Sequence, residues 1–333
     1  MVGPGARNPF SIGHPSAYNE PPRQWHAMTT PYLVSVVMCT RNRPDLIGTA
    51  VASVLANDYP SFELVVVDQS DDDRTGATVR ALEATHPNLR YVHTPIAGLS
   101  RAYNIGVRAT NGPLLAFTDD DCVAPKGWLA SIARAFSNDP EADMLYGQVL
   151  LPDRLRDRPE QVPTLGISAP ARLSRRDGFR IYGMGANFGL RRRLFDRIGG
   201  FDEILGGGAP LRSSQDFDFQ YRAYRAGAII LLRPEVTVDH YGVRLPDQWP
   251  STYRAYGMGD GAFYFKHVRC GDLAALRMLT ARLAWLTARE ALNGIRRKNS
   301  LGTYLRGYFS GIRASLAYRV DRGTRLYVAP PTG

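Results

Sequence analysis

The chain of 333 residues has few cysteines and no long apolar segment. Cys39, Cys122 and Cys270 are far apart and odd in number, which excludes a disulfide framework and a Cys-x-x-Cys metal site and favours a reducing cytoplasm. No segment approaches the roughly 18 consecutive apolar residues of a membrane span. The first 30 residues lack the apolar core of a signal peptide. They are rich in Pro, Gly, Asn and Ser and predict a disordered leader.

The basic charge is concentrated in one part of the chain. Between Lys266 and Arg325, thirteen lysines and arginines face three acids, an excess that equals the net charge of +10 of the whole chain. Such an asymmetry favours a partner with an anionic surface. Hydrophobic residues make up 44% and charged residues 22% of the chain, as in ordinary globular proteins.

The first half of the chain alternates between strand-like and helix-like segments. Buried-strand patterns at 33–39, 62–67, 89–93 and 113–117 are separated by helical periodicity after Pro44, at 74–85 and at 98–110. This alternation predicts an α/β fold with a mostly parallel sheet flanked by helices. Right-handed crossovers bring the ends of the first, second and fourth strands to one edge. Helices at 190–198 and 214–226, a strand at 228–232 and a mobile loop at 152–180 follow.

The most informative motif is the acidic triplet Asp119, Asp120 and Asp121, directly after the fourth strand. Ligands of open α/β sheets bind at this edge. Alternation along an extended segment predicts that Asp119 and Asp121 point one way and Asp120 the other. Two converging carboxylates suit Mg²⁺ or Mn²⁺ that also carries substrate phosphates. Taken alone, the triplet also fits a solvated strand end.

The triplet stands among segments that resemble the family 2 glycosyltransferases, which have the GT-A fold. The resemblance covers about residues 33–242, and no single piece of it is decisive, because strands that end in Asp are common. The segments are 36–43, 65–70, 98–106, which leads into the triplet, and 199–203, which is followed by Gln215, Asp216 and His240. The resemblance implies a catalytic domain at 31–245 with nucleotide-binding (31–123) and acceptor-binding (124–245) halves. Composition and charge add a leader at 1–30, a basic helical extension at 246–325 and a tail at 326–333.

For the nucleotide-sugar donor, the resemblance implies a site built from several segments. Thr40 and Arg43 would line the nucleotide pocket, and Asp68 would accept a hydrogen bond from the base, which favours uracil or thymine. Arg101 and Asn104 would lie beside the donor. Taken alone, Asp68 also fits a helix cap and Arg101 a solvent-facing charge.

For the metal and the chemistry, the resemblance assigns five further residues. Asp119 would face the ribose, with Asp120 in the same nucleotide-sugar site, and Asp121 would bind Mn²⁺ or Mg²⁺. His240 would be a late metal or phosphate ligand, although a lone histidine at a strand end is more often structural. Asp216 would be the general base, which implies inversion at the anomeric carbon. Asp216, Asp218 and Arg222 also have the spacing of an ordinary surface charge pair.

Two departures from the family pattern bear on these assignments. The residue before the proposed base is usually Glu in the family and is Gln215 here, which leaves its part in acceptor binding or base tuning open. The Gln-x-x-Arg-Trp motif of processive synthases is absent, since Gln248 and Trp249 do not reproduce it. Together with the lack of spans, this favours transfer of single sugars.

The basic C-terminal third predicts two amphipathic helices. Leu276, Leu279, Leu283 and Leu286 form one stripe at 273–292, with Arg277, Arg282 and Arg289 off it, and a second helix is predicted at 301–319. We expect them to attach to an anionic membrane surface, against the alternative that they cover the catalytic domain. Nucleic acid is not expected as a partner, because no stacking platform or zinc pattern is present.

These patterns together predict a metal-dependent inverting glycosyltransferase with a UDP-sugar donor. Its acceptor would be a lipid-linked or envelope glycan, and its place the cytoplasmic face of the plasma membrane, as a peripheral protein. A sugar-phosphate nucleotidyltransferase and a non-catalytic membrane scaffold are the alternatives.

Overall fold

The computed structural model describes residues 31–157, 161–295 and 300–329. The predicted leader at 1–30 and part of the predicted tail lie outside these residues. The strands are β1 (Val34–Thr40), β2 (Phe62–Asp68), β3 (Leu89–His93), β4 (Leu114–Asp119), β5 (Cys122–Val123), β6 (Met144–Leu150), β7 (Ala171–Leu173), β8 (Asn187–Arg191), β9 (Ile230–His240), β10 (Arg319–Val320) and β11 (Tyr327–Val328). The helices are α1 (Pro44–Leu55), α2 (Arg74–Glu83), α3 (Leu99–Arg108), α4 (Trp128–Asn138), α5 (Arg192–Ile198), α6 (Gln215–Arg225), α7 (Trp249–Arg269), α8 (Leu273–Ile295) and α9 (Ser300–Ser315).

The predicted α/β fold with a mostly parallel sheet is confirmed. Nine strands form one sheet whose main path runs β3-β2-β1-β4-β8-β6-β9-β5, with β7 paired to β9. β1, β2, β3 and β4 are mutually parallel, and β8 is antiparallel to both of its neighbours. Thr40 pairs with Asp68 and Cys39 with Asp119. The ends of the first, second and fourth strands therefore meet at one edge, as expected.

Helices cover both faces of the sheet. α1, α2 and α4 pack on one face through apolar residues such as Val51, Val79 and Ile132. α3, α5 and α6 pack on the other, where the rings of Phe117 and Phe188 stack with centroids 4.4 Å apart. Strands buried on both faces need near-continuous apolar sequence, and β2 and β4 have it.

Three predictions for the second half are corrected. The segment 152–180 is not a plain loop: it contains β7, and Ile167, Ala171 and Leu173 are buried in the core. The helix expected from Leu190 begins at Arg192, because residues 187–191 form β8 at the centre of the sheet. The strand expected to end at 232 continues as β9 to His240, past an irregularity in its pairing with β6.

The C-terminal helices pack against α6 of the preceding α/β part of the chain rather than standing apart from it. α7 was not predicted, and with α8 and α9 it buries an apolar cluster against Tyr221 of α6. Leu279 and Leu286 of the predicted stripe are buried there, whereas Leu276 is 42% exposed. Half of the stripe therefore packs inside the protein, which corrects the expectation that the four leucines together face lipid. Arg289 lies outside the residues whose side chains are described.

α7 and α9 approach each other at backbone distance. A Cβ atom on any of four glycines would collide with a main-chain oxygen of the opposite helix. These glycines are Gly257 and Gly261 on α7 and Gly307 and Gly311 on α9. Within the described ranges, the helices are too short or too polar to cross a bilayer.

Candidate active site

The edge of the sheet at which β1, β2 and β4 end is where the sequence predicts the donor, and we call it the donor edge. It brings together residues from β1, α1 and β4. Thr40, at the end of β1, donates a hydrogen bond of 2.6 Å to Asp120. Arg43 precedes Pro44, the first residue of α1, so its side chain starts beside the same edge. Its Nη1 lies 2.8 Å from Asp120 Oδ1 and 2.6 Å from Asp121 Oδ2. The side chains predicted to surround the acidic triplet therefore meet there.

The predicted alternation within the triplet is wrong for its last two members. Asp120 and Asp121 both bind the Arg43 guanidinium, so their carboxylates converge instead of pointing apart. The reason is local, since β4 ends at Asp119 and residues 120–121 form a turn. Strand alternation applies only while the backbone stays extended.

Asp121 and His240 form the candidate metal centre. Ligand atoms of Asp121, Cys122 and His240 lie within 4.8 Å of one another, because β5 pairs with the end of β9. His240 Nε2 is 3.1 Å from Asp121 Oδ1, and this buried oxygen accepts no hydrogen bond from any other group in the described part of the chain. His240 Nδ1 donates to the Pro163 carbonyl at 2.8 Å, as metal-bound histidines commonly do. Burial alone would lower the pKa of His240, but the contact with Asp121 outweighs it and raises that pKa, so the protonated ring pairs with the carboxylate when no cation is bound. In the neutral ring the Nε2 lone pair would point at the carboxylate oxygen, an arrangement that fits a divalent cation.

The charges of this edge repel one another. Burial first, and the negative charges of Asp121 and Asp120 next, raise the pKa of Asp119 to about 7. Burial likewise raises the pKa of Asp120 to about 6. Burial would also raise the pKa of Asp121, but the contact with His240 and the charge of Arg43 outweigh it and lower that pKa. Perturbations of this kind concentrate at functional sites.

Asp68 lies at the same edge but is fully buried. Its Oδ1 accepts a hydrogen bond of 2.8 Å from the Ser70 amide and its Oδ2 one of 2.9 Å from the Tyr91 hydroxyl. A cavity of about 540 Å³ opens in front of Tyr91 and is lined by acidic residues, including Asp71 and Asp73. Both Asp68 oxygens therefore already have partners, and a hydrogen bond from a nucleotide base to Asp68 stays a prediction.

Arg101 and Asn104 face the segment 199–203. Both polar atoms of the Asn104 side-chain amide are hydrogen-bonded: Nδ2 donates to the Phe201 carbonyl at 2.9 Å, and Oδ1 accepts from the Phe201 amide at 2.9 Å. Arg101 lies 3.1 Å from Glu203. The structure thus shows a structural link for Asn104, and a contact of either residue with the donor stays a prediction.

Asp216 lies in the first turn of α6, where the helix dipole favours a carboxylate. Its Oδ2 accepts a hydrogen bond of 3.0 Å from the Gly185 amide and its Oδ1 one from the Phe217 amide. Burial nevertheless raises its pKa to about 6. A carboxylate with such a pKa can take up a proton near neutral pH.

Asp216 and the acidic triplet lie close to one tyrosine. After burial, the charges of Asp119 and Asp216 both contribute to raising the pKa of Tyr103. The buried Tyr103 hydroxyl has no hydrogen-bond partner among the described residues. A geometric link is also present: Gly185, which donates to Asp216, lies two residues before Asn187 of β8, and Asn187 pairs with Thr118 directly before the acidic triplet. Tyr103 packs against Phe117 and Phe201.

A second cluster of charges, missed from sequence, lies on the far side of α6. We call it the ion cluster; its members are Asp202, Asp218, Arg222, Lys266 and His267, all at most 2% exposed. Lys266 Nζ lies 2.6 Å from both aspartates, and Arg222 Nε donates to Asp218 at 2.9 Å. Asp218 and Arg222 are therefore a buried pair and not the surface pair that their spacing suggested. The sequence signal that could have revealed this burial is the set of apolar and aromatic residues that flank Asp218 and Arg222 within 217–223.

Comparisons with known proteins agree with this geometry. The model of glycosyl transferase family 2 matches residues 35–199. A glucosyl-dolichyl phosphate glucuronosyltransferase of Haloferax volcanii is 26% identical over 179 residues, which are 52% of this chain and 57% of that protein. The chain spans about half the length of the curated relatives it matches.

Solved structures share the fold. The mannosyltransferase PcManGT of Pyrobaculum calidifontis, in complex with GDP-Man and Mn²⁺, is 19% identical with a TM-score of 0.58, covering 86% of this chain and 87% of that one. S. aureus TarS 1–349 in complex with UDP-GlcNAc is 20% identical with a TM-score of 0.54, covering 68% and 65%. At these identities the likeness concerns the fold.

Proposed function

Because the chain belongs to glycosyl transferase family 2, we propose that it transfers a single sugar from a nucleotide-diphosphate sugar to an acceptor hydroxyl. The observation that supports the proposal is the pairing of Asp121 with His240, a candidate cation site, together with a buried carboxylate, Asp216, bound to Gly185 just before β8 and suited to base catalysis. The nucleotide is proposed to be UDP. TarS was solved with UDP-GlcNAc but PcManGT with GDP-Man, so both belong in the test.

In the proposed reaction, Asp216 takes the proton of the acceptor hydroxyl as that oxygen attacks the anomeric carbon. Attack from the face opposite the diphosphate inverts the anomeric configuration. Asp121 and His240, with Cys122 adjacent, would hold the divalent cation, which supplies charge neutralisation for the departing diphosphate. Arg43, whose side chain is 44% exposed, can turn from the acids toward the phosphates.

A thermal-shift panel tests the donor site. UDP, GDP, dTDP and CDP are added with and without Mn²⁺, since a ligand of the folded state raises the melting temperature. We expect a shift with UDP that requires Mn²⁺ and disappears in Asp121→Asn. Asp247→Asn, at an exposed position, is the control. A flat response to every nucleotide contradicts the proposal.

Product analysis separates sugar transfer from nucleotidyl transfer. A glycosyltransferase releases a nucleoside diphosphate, whereas a sugar-phosphate nucleotidyltransferase releases pyrophosphate. The acceptor is proposed to be a lipid-linked glycan, in line with the dolichyl phosphate in the name of the Haloferax relative. Transfer to short lipid-phosphate sugars is the corresponding assay.

We also propose that α9 docks on an anionic membrane surface. Arg306, Phe309 and Arg313 recur at spacings of three and four, and all are exposed, with Leu316 just beyond the helix on the same side. Alternating basic and apolar groups on one face suit an anionic lipid layer. This surface replaces the leucine stripe, of which Leu279 and Leu286 are buried.

Sedimentation with vesicles tests the docking surface. Binding to phosphatidylglycerol vesicles, but not to phosphatidylcholine vesicles, is expected, and Phe309→Ser with Arg306→Glu should abolish it. Leu273→Ser, at an exposed apolar position of α8, serves as the control. Equal binding to both vesicle types, or no binding, contradicts the proposal.

A further inference from the structure

All three C-terminal helices contribute to one hydrogen-bonded chain that ends beside the proposed base. We call it the base clamp; its members are Ser214, Asp260 of α7, Arg282 of α8 and Tyr304 of α9. Ser214 Oγ donates to Asp260 Oδ1 at 2.7 Å, and the Tyr304 hydroxyl donates to Asp260 Oδ2. Arg282 Nη2 donates to the Tyr304 oxygen at 3.1 Å. Asp260 is 4% exposed and Ser214 1%, so the clamp is shielded from water.

The clamp acts on the residue that begins the base helix. Ser214 is the N-cap of α6, two positions before Asp216, and it has the left-handed φ of 68°, which is unfavourable for a residue with a side chain. Its hydroxyl makes no capping bond to its own helix, and it is used for Asp260 instead. The first turn of α6 is therefore fixed from outside, by α7.

A second contact supports the same point. A Cβ atom at Gly259 would collide with the backbone of Ser213, so α7 lies directly against the segment before the cap. The proximity is also electrostatic, since the Asp260 charge adds to the effect of burial in raising the pKa of Asp216. Other titratable groups that face Asp216 are Tyr103 of α3, Tyr146 of β6 and Tyr256 of α7.

We propose that Asp260 is a positioning residue for the base: backed by Tyr304 and Arg282, it holds Ser214 so that Asp216 keeps the orientation needed for proton transfer. The C-terminal helices are then part of the catalytic machinery as well as a covering for it. Asp260 supplies a carboxylate near the base in a chain where residue 215 is Gln. The inference rests on the proposed role of Asp216.

Two tyrosines of α9 provide a matched test. Tyr304→Phe removes one hydroxyl from the clamp, whereas Tyr308→Phe removes a buried hydroxyl that has no hydrogen-bond partner among the described residues. We expect Tyr304→Phe and Ser214→Ala to lower kcat on the order of 10- to 100-fold, because small displacements of a catalytic group are costly. The KM for the donor should stay unchanged. Tyr308→Phe should match the unchanged protein, and equal kcat in the two tyrosine variants overturns the proposal.

A readout independent of turnover separates this inference from the proposed function. The Asp216 carboxyl is titrated by ¹³C NMR in the full chain, assigned with Asp216→Asn. In Asp260→Asn the Asp216 pKa should fall below its starting value of about 6, since a neighbouring negative charge is removed. Tyr308→Phe should leave it unchanged. An unchanged pKa in Asp260→Asn overturns the clamp even if transfer is observed, whereas a lowered pKa without any transfer supports the clamp and contradicts the proposed function.

Discussion

Two groups of buried aspartates, at the donor edge and in the ion cluster, have different electrostatic states. At the donor edge, Asp119, Asp120 and Asp121 share one arginine and one histidine, and burial raises the pKa of the first two. In the ion cluster, Asp218 is equally buried, but Lys266, Arg222 and His267 outweigh burial and lower its pKa. Burial alone therefore does not distinguish a functional carboxylate from a structural one.

The difference lies in charge balance and in unpaired atoms. The ion cluster has two acids and three basic side chains, and each oxygen of Asp218 has a partner. The donor edge has an excess of acids, and among the described residues Asp121 Oδ1 has only His240 as a polar neighbour. Such an edge gains stability when it binds a cation, whereas the ion cluster is already satisfied.

The largest expected effect comes from opening the ion cluster. Lys266→Met leaves Asp202 and Asp218 buried with less compensation, and we expect the free energy of unfolding to fall by about 3–5 kcal/mol. Chemical denaturation measures it. Arg74→Met, which breaks the exposed pair with Asp72, should cause no measurable change. If the unfolding free energy of Lys266→Met fell no more than that of Arg74→Met, the cluster would not stabilise the fold.

The next effect contrasts two acids on one helix. Asp216→Asn should lower kcat on the order of 10²- to 10³-fold, because the base is lost, with little change in unfolding free energy. Asp218→Asn should instead destabilise the protein. For the unchanged enzyme, kcat/KM should fall as the pH drops below about 6, where Asp216 becomes protonated. Full activity of Asp216→Asn at pH 7 would refute its role.

The smallest effect concerns stability and pH at the donor edge. Since the pKa of Asp119 is raised to about 7, the folded state holds more protons than the unfolded state between about pH 4 and 7. Stability should therefore fall as the pH rises through this range, and Asp119→Asn should make this fall shallower. The lowered pKa of Asp218 acts only below about pH 4. Denaturation of both proteins at pH 4.5 and 7.5, without metal, checks this, and identical slopes would contradict it.

Much of the first half of the fold could be predicted from the sequence. The helix after Pro44 and the strands before Asp68 and Asp119 follow from local periodicity and composition, and the structure confirms these elements. Parallel strands then force their ends to one edge, so the meeting of Thr40, Arg43 and the triplet follows from topology. Local patterns give these elements and a general rule of parallel sheets gives their arrangement, which is why a single sequence suffices.

The second half depends on contacts that no local pattern encodes. α7 contains Gly257, Gly259 and Gly261, which weaken an isolated helix. Close packing compensates for them, on α9 for the first and third and on Ser213 for Gly259. β8 has five residues and is held by β4 and β6. In the sequence, Asp260 lies 46 residues from Ser214 and 44 residues from Tyr304, so the clamp becomes visible only in the three-dimensional structure.

The glycine contacts between α7 and α9 have a consequence for synthesis of the chain. α8 lies between these helices in sequence, so α7 finds its backbone partner only after residues 300–311 have been made. Until then Asp260 lacks the Tyr304 hydroxyl, and the first turn of α6 lacks its support. The donor edge, built by residues 34–121 together with His240, is complete some sixty residues earlier. If the proposed function holds, a nascent chain that has passed His240 could bind a nucleotide before it could transfer a sugar.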